Sequence, residues 1–210
     1  MPKDNEIQKT KLLIVEGNHE RDFFNAWFFH LGISDIQVMP IGGKTKLAVN
    51  LNALIKQTNY ISVVSIVIIR DADDNPAGAF QSICSALENA RLPVPPAGEK
   101  FIIRDGLKLA VVITPGNDRS GALEELLLET TVADPLSSHA AIYIDQAVAN
   151  LTESHARPAP LAHKHGKAEI HAFLATFEEP DKDPGKAALS GVWDFNHPAL
   201  FPIRTILEQM

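Results

Sequence analysis

Three carboxylates stand out as groups that can share one charge: Glu16, Asp71 and Asp73. Residues 61–74 read ISVVSIVIIRDADD, a Val- and Ile-rich run that ends in clustered acids. If the strand continues through RDAD, Asp71 and Asp73 fall on one face, with backbones about 6–7 Å apart. Repulsion between two such charges at about 4 Å is on the order of 4 kcal/mol near a protein surface. A divalent cation between them removes that cost. Oxygen donors without cysteines or a histidine pair suit Mg²⁺ or Mn²⁺ better than zinc. A bare Asp-x-Asp is more often a solvated turn with an aspartate cap. Glu16 shifts that balance, because it ends an earlier apolar run, KLLIVE. In a parallel sheet both strand ends lie on the carboxyl edge, where open α/β folds bind ligands. Glu20 and Asp22 follow in the first turn of the next helix, where the helix dipole tolerates acids. Asp22 reads as a capping residue, and Glu20 stands evenly between cap and site.

These acids need a scaffold, and the apolar spacing supplies one. Residues 11–16, 36–41 and 61–69 read as strands. Phe23, Phe24, Trp27, Phe28 and Leu31 recur at helical spacing before the stop at Gly32. Leu47, Leu51, Leu54 and Ile55 mark a second helix, and Pro76 opens a third with Phe80, Ile83 and Leu87. Three strand–helix units imply parallel strands joined by right-handed crossovers. Residues 101–104 and 107–114 then form a hairpin about Asp105-Gly106. GALEELLLE starts a helix capped by Ser120 or Asp118, with Leu123, Leu126 and Leu127 in the core. Beyond it the pattern is helical over residues 139–151, 166–177 and 198–209, punctuated by Pro158, Pro160, Pro180 and Pro184. Trp193, Phe195, Leu200, Phe201, Ile203 and Leu207 read as residues that dock this tail on the core, or as an oligomer contact. The expected architecture is α/β, Rossmann-like, with a mostly parallel sheet flanked by helices and an added hairpin. Residues 1–130 form the α/β core. Residues 131–210 form a helical region packed on it, the two making one structural unit.

With 210 residues, 45% of them hydrophobic, the chain can build a full core. A single cysteine, Cys84, excludes an internal disulfide framework. The first ten residues carry no apolar signal core, and residues 61–69 are far short of the roughly 20 that cross a bilayer. A cytoplasmic, membrane-free setting is expected. The formal net charge of −7 argues against sequence-independent coating of DNA. A local patch can still contact a nucleic-acid backbone, since screening acts over about 8 Å. His163-Lys164-His165-Gly166-Lys167 is the densest basic cluster, and Lys167 is its chosen functional residue. Gly42-Gly43-Lys44-Thr45 fails as a phosphate loop, because Val38 stands where that motif needs glycine. Lys44 and Lys46 read as solvated.

LLIVEGNHE, the glycine-containing turn after the second strand, and VVSIVIIRDADD together resemble the Toprim domain of topoisomerases, bacterial primases, recombination proteins and OLD-type nucleases. The resemblance covers residues 11–91. PGNDRSGALEELLLE and HKHGKAEIHAFLA further resemble the DUF3226 family of small bacterial proteins with a Toprim-like core. The resemblance implies that Asp71 and Asp73 are Mg²⁺ ligands. It implies that Glu16 is a general acid/base or a metal ligand, and that Glu20 is the second acid of OLD-type nucleases. More loosely, Glu124 or Glu125 corresponds to an acid for a second metal. The implied activity is metal-dependent phosphodiester chemistry on nucleic acid. The alternative is a non-catalytic module that binds a partner or a small phosphorylated ligand. Tyr60 and Tyr143 lie in no recognisable cleavage context, so a covalent strand-breaking cycle is not expected. A phosphoacceptor receiver domain needs two acids after strand one and one after strand three, the reverse of this chain.

Overall fold

The computed structural model describes residues 6–150, 165–179 and 182–210. Five strands, β1 (Lys11–Val15), β2 (Ile36–Pro40), β3 (Ser65–Asp71), β4 (Ile102–Arg104) and β5 (Leu107–Thr114), form one sheet in the order β2-β1-β3-β5-β4. Only β4 runs antiparallel to its neighbour. The helices are α1 (Asn18–Leu31), α2 (Leu47–Leu54), α3 (Pro76–Asn89), α4 (Leu123–Glu129), α5 (Pro135–Ala149), α6 (His165–Leu174), α7 (Pro184–Leu189) and α8 (Phe201–Glu208). This is the expected α/β architecture, including the hairpin. Asp105 (φ 53°) and Gly106 (φ 81°) give its turn the two positive φ angles that match strand twist.

Successive strand residues enter opposite faces of the sheet. Leu13, Val15, Val67, Ile69, Ala110 and Val112 share a core with α1 and with the helices from α4 onward. Leu12, Ile14, Ile66, Ile68, Val111 and Ile113 share another with α2 and α3. Helix α1 leads outward from β1 to β2, and α2 returns past β1 to β3. Right-handed crossovers therefore place them on opposite faces. The chain leaves β1 in one direction and β3 in the other. The crevice beyond the ends of these two strands is the topological switch point, the preferred ligand position in such sheets.

Packing of the tail fixes α1. Phe23, Phe24 and Trp27 are fully buried. Phe195 meets Phe23 and stacks on Trp27 with ring centroids 6.4 Å apart. The Trp193 Nε1–H donates to the Pro184 carbonyl at 2.9 Å. Leu200, Ile203 and Leu207 are buried as expected, but Phe201 is 46% exposed.

Several expectations need correction. The third strand starts at Ser65, not at residue 61, because its pairing with β1 begins at Lys11↔Ser65. Residues 58–62 form a 3₁₀ turn that leaves Ile61 94% exposed. The strand also stops at Asp71. Asp73 takes a left-handed conformation (φ 49°), and its N–H and C=O bond the Gly121 carbonyl and N–H at 2.8 and 2.7 Å. Asp71 and Asp73 therefore do not share a strand face. Pro184 does not break structure but opens α7, where Asp183 accepts the Lys186 N–H. Helix α5 begins at Pro135 with Asp134 as cap, before the expected residue 139. Ala122, not Ser120 or Asp118, precedes α4. Leu151, Pro158, Pro160, His163, Lys164 and Pro180 lie outside the described residues. Among the described residues no helix is long and apolar enough to cross a membrane.

Candidate functional site

Asp71 ends β3 on the α1 side of the sheet, and the residue is 7% exposed. Its Oδ1 accepts the Thr114 hydroxyl at 2.7 Å and the Leu123 N–H at 3.0 Å. The first bond ties it to the end of β5. The second places it at the N-terminus of α4, where an anion is favoured. Among the described residues Oδ2 has no hydrogen-bond partner. Burial pushes the Asp71 carboxyl up to about 7 against the opposing pull of Thr114, and Glu124, Glu20 and Glu16 add to the rise. Four carboxyl groups thus share one field at the switch point.

Glu16 follows β1 and lines a small cleft with Glu20, Phe24, Ile69, Arg70, Asp71, Thr114 and Leu123. Burial and then Glu20 raise its carboxyl, while Arg70 pulls it down and Asp73 raises it again. No hydrogen bond or ion pair engages its side chain among the described residues. Glu20 has a structural task as well, since its Oε2 accepts the Gly17 N–H at 2.9 Å at the start of α1. This is the capping half of the two roles expected of it, and it leaves the residue inside the cleft. Asp22 is turned away and pairs with Arg21.

Asp73 sits at the rim, half exposed, with its Oδ2 2.8 Å from Lys44 Nζ. Lys44 arrives from the turn after β2, in which Gly42 (φ 73°) and Gly43 (φ 104°) both adopt left-handed geometry. The Gly43 N–H bonds the Glu16 carbonyl at 2.9 Å, which seats this turn against the end of β1. Lys44 is therefore at the site rather than simply solvated. Arg70 donates to Ser82 Oγ at 3.0 Å, and among the described residues its buried Nε has no partner.

Glu124 and Glu125 separate clearly. Glu124 Oε1 lies 3.5 Å from Lys167 Nζ, and both side chains act on Asp71 or respond to it. For Lys167, burial lowers the ammonium's affinity for its proton, but Glu124, Asp71 and Glu20 outweigh that and raise it. Glu125 instead caps α4, its Oε2 accepting the Ala122 N–H at 2.6 Å. It is also packed under Gly166, where a Cβ would collide with its carboxylate. That close approach sets α6 against α4 and delivers the adjoining Lys167 to Glu124.

The donor set is oxygen only, which fits a hard cation. Among the described residues, however, no three such side chains stand together as a ready-made cage. Glu20 is engaged in capping and Asp73 with Lys44. The sequence did not point to Thr114, which lies on a strand whose position beside β3 only the sheet order reveals.

The chain belongs to the family described as protein of unknown function (DUF3226), whose model matches residues 10–210. Among solved structures it is similar to the C-terminal region of the Xanthomonas campestris pv. campestris OLD protein. The identity is 16% and the TM-score 0.47, over 95% of this chain and 93% of that one. It is also similar to the C-terminal region of the Burkholderia pseudomallei OLD protein, at 16% identity and TM-score 0.47, over 97% and 99% of the two chains. A comparison with curated proteins finds no match.

Proposed function

We propose that this member of the DUF3226 family performs divalent-metal-dependent phosphodiester chemistry on nucleic acid, at the crevice between the ends of β1 and β3. The observation that carries this reading is the convergence of Glu16, Glu20 and Asp71 in one cleft at the switch point, with Lys44, Arg70 and Lys167 around it. Acids grouped where a sheet binds ligands, with cations at the rim, suit a metal ion together with a phosphate. Glu16, Asp71 through Oδ2, and Asp73 would hold Mg²⁺ or Mn²⁺, with Glu20 beside them. Glu124 is the better placed of the two acids for a second ion.

Such a cation supplies polarisation of phosphate oxygens and activation of water. The chain's own residues do the rest. Thr114 and the Leu123 N–H fix the Asp71 carboxylate in one orientation. Where Glu16 does not serve as a ligand, its alternative role is to accept and return a proton at the cleft. Lys167, held by Glu124, presents a positive charge to a phosphate. The single thiol, Cys84, is buried and suits a reducing cytoplasmic setting.

The test is cleavage of plasmid and single-stranded substrates with Mg²⁺ or Mn²⁺. Wild type is expected to cut, and Glu16→Gln and Asp71→Asn to lose at least about 100-fold, roughly the contribution of one positioned acid–base group. Equal activity in all three proteins would refute the assignment. A second reading, a non-catalytic module for a small phosphorylated ligand, is favoured by the incomplete cation cage. It predicts binding of Mg²⁺ and mononucleotides in calorimetry with no turnover of any nucleic acid.

A further inference from the structure

Lys44 is bonded to an acid that the proposed function needs for a cation. Its Nζ lies 2.8 Å from Asp73 Oδ2, with both side chains about half exposed, at 51% and 50%. The hydrogen bond to Asp73 and the charge of that carboxylate hold the ammonium proton more firmly, and Glu16 contributes in the same sense. Lys44 thus faces two of the proposed ligands.

The backbone is held on both sides. Asp73 is fixed by paired bonds to Gly121, and Lys44 follows two glycines whose positive φ angles set the turn that brings it to the rim. The Lys44 turn is itself seated by the Gly43 N–H on the Glu16 carbonyl, so the exchange falls to the long, half-exposed Lys44 side chain rather than to either backbone. Arg70, the neighbouring cation, already bonds Ser82, and among the described residues its buried Nε has no partner. A phosphate entering this crevice would meet one anchored guanidinium and one ammonium that is spoken for.

We propose that Lys44 is a positioning residue that exchanges partners: it neutralises Asp73 until a divalent cation takes that carboxylate, and then turns its ammonium to a phosphate of the nucleic-acid substrate. The inference rests on the cation site proposed above and goes beyond it. It assigns Lys44 opposite effects on two ligands. In the metal-free protein it competes with the cation, and in the loaded protein it assists the phosphate.

The test uses the full chain and needs no catalysis. Calorimetry measures Mn²⁺ affinity, and fluorescence anisotropy measures binding of a labelled single-stranded oligonucleotide in Ca²⁺. A half-exposed ion pair of this kind is worth a few tenths to 1 kcal/mol, so Lys44→Met should tighten Mn²⁺ binding roughly two- to five-fold. The same variant should weaken oligonucleotide binding and lower its log–log salt slope by about one, the signature of one lost phosphate contact. Lys44→Arg keeps the charge and should follow wild type in both. Unchanged or weaker Mn²⁺ binding by Lys44→Met overturns the exchange, as does an unaltered oligonucleotide slope or an Arg variant that behaves like Met. A wild type that binds no Mn²⁺ overturns the cation site itself and the inference with it.

Discussion

Asp71 is the residue on which the site turns, because it combines burial with crowding. It holds a proton up to about pH 7 in the folded chain but only to about 3.8 in the unfolded one. Between those values the folded state carries the extra proton. Its stabilising effect is therefore complete below the lower value and is lost as pH rises towards 7. A shift of this size is worth up to about 4 kcal/mol. Asp71→Asn keeps an oxygen for Thr114 and Leu123 and removes the ionisation. In EDTA at pH 8 it should melt at least about 5 °C higher than wild type, at roughly 2–4 °C per kcal/mol for a chain of this size. The difference should shrink as pH falls to 5. Thermal melts across that range would show it, and a variant that melts lower at pH 8 would mean that Asp71 is stabilised by partners rather than strained by neighbours.

At the scale of elements, the site depends on how α1 is held. Gly185 in α7 lies so close to α1 that a Cβ there would come within 2.5 Å of the His19 carbonyl. That atom is backbone and cannot step aside. Gly185→Ala should lower stability by about 1–3 kcal/mol, read as a drop of several degrees in melting temperature. An unchanged melt would show that α1 and α7 can separate freely.

The strand–helix order, the stop at Gly32 (φ 70°) and the hairpin at Asp105-Gly106 were legible, because each is written in local periodicity or turn chemistry. Glu16 was expected beside Asp71 on the condition that the first and third strands are neighbours, which the pairing of β1 with β3 meets. Three features were not legible. The left-handed turn at Asp73 is imposed by its bridge to Gly121, a partner distant in sequence. Thr114 reaches Asp71 only because β5 inserts beside β3. Helix α7 has six residues, too few for a helical pattern to outweigh its proline.

For the whole molecule, two apolar cores clamp one sheet, and Glu16, Glu20, Asp71 and Glu124 act on one another at its carboxyl edge. The acids there are set close by β1, β3 and α4 without an internal cation for each. A divalent ion should relieve that repulsion and displace the proton on Asp71. Affinity should therefore rise with pH from 6 to 8 and level off above. The most direct measurement is an electron paramagnetic resonance titration that follows the free Mn²⁺ signal at pH 8 against wild type, Asp71→Asn and Glu16→Gln. The wild-type chain should deplete free Mn²⁺, with at least about ten-fold weaker depletion in each variant, as for loss of a metal-shell group. Identical depletion by all three proteins, or none by wild type, would contradict a cation site at this edge.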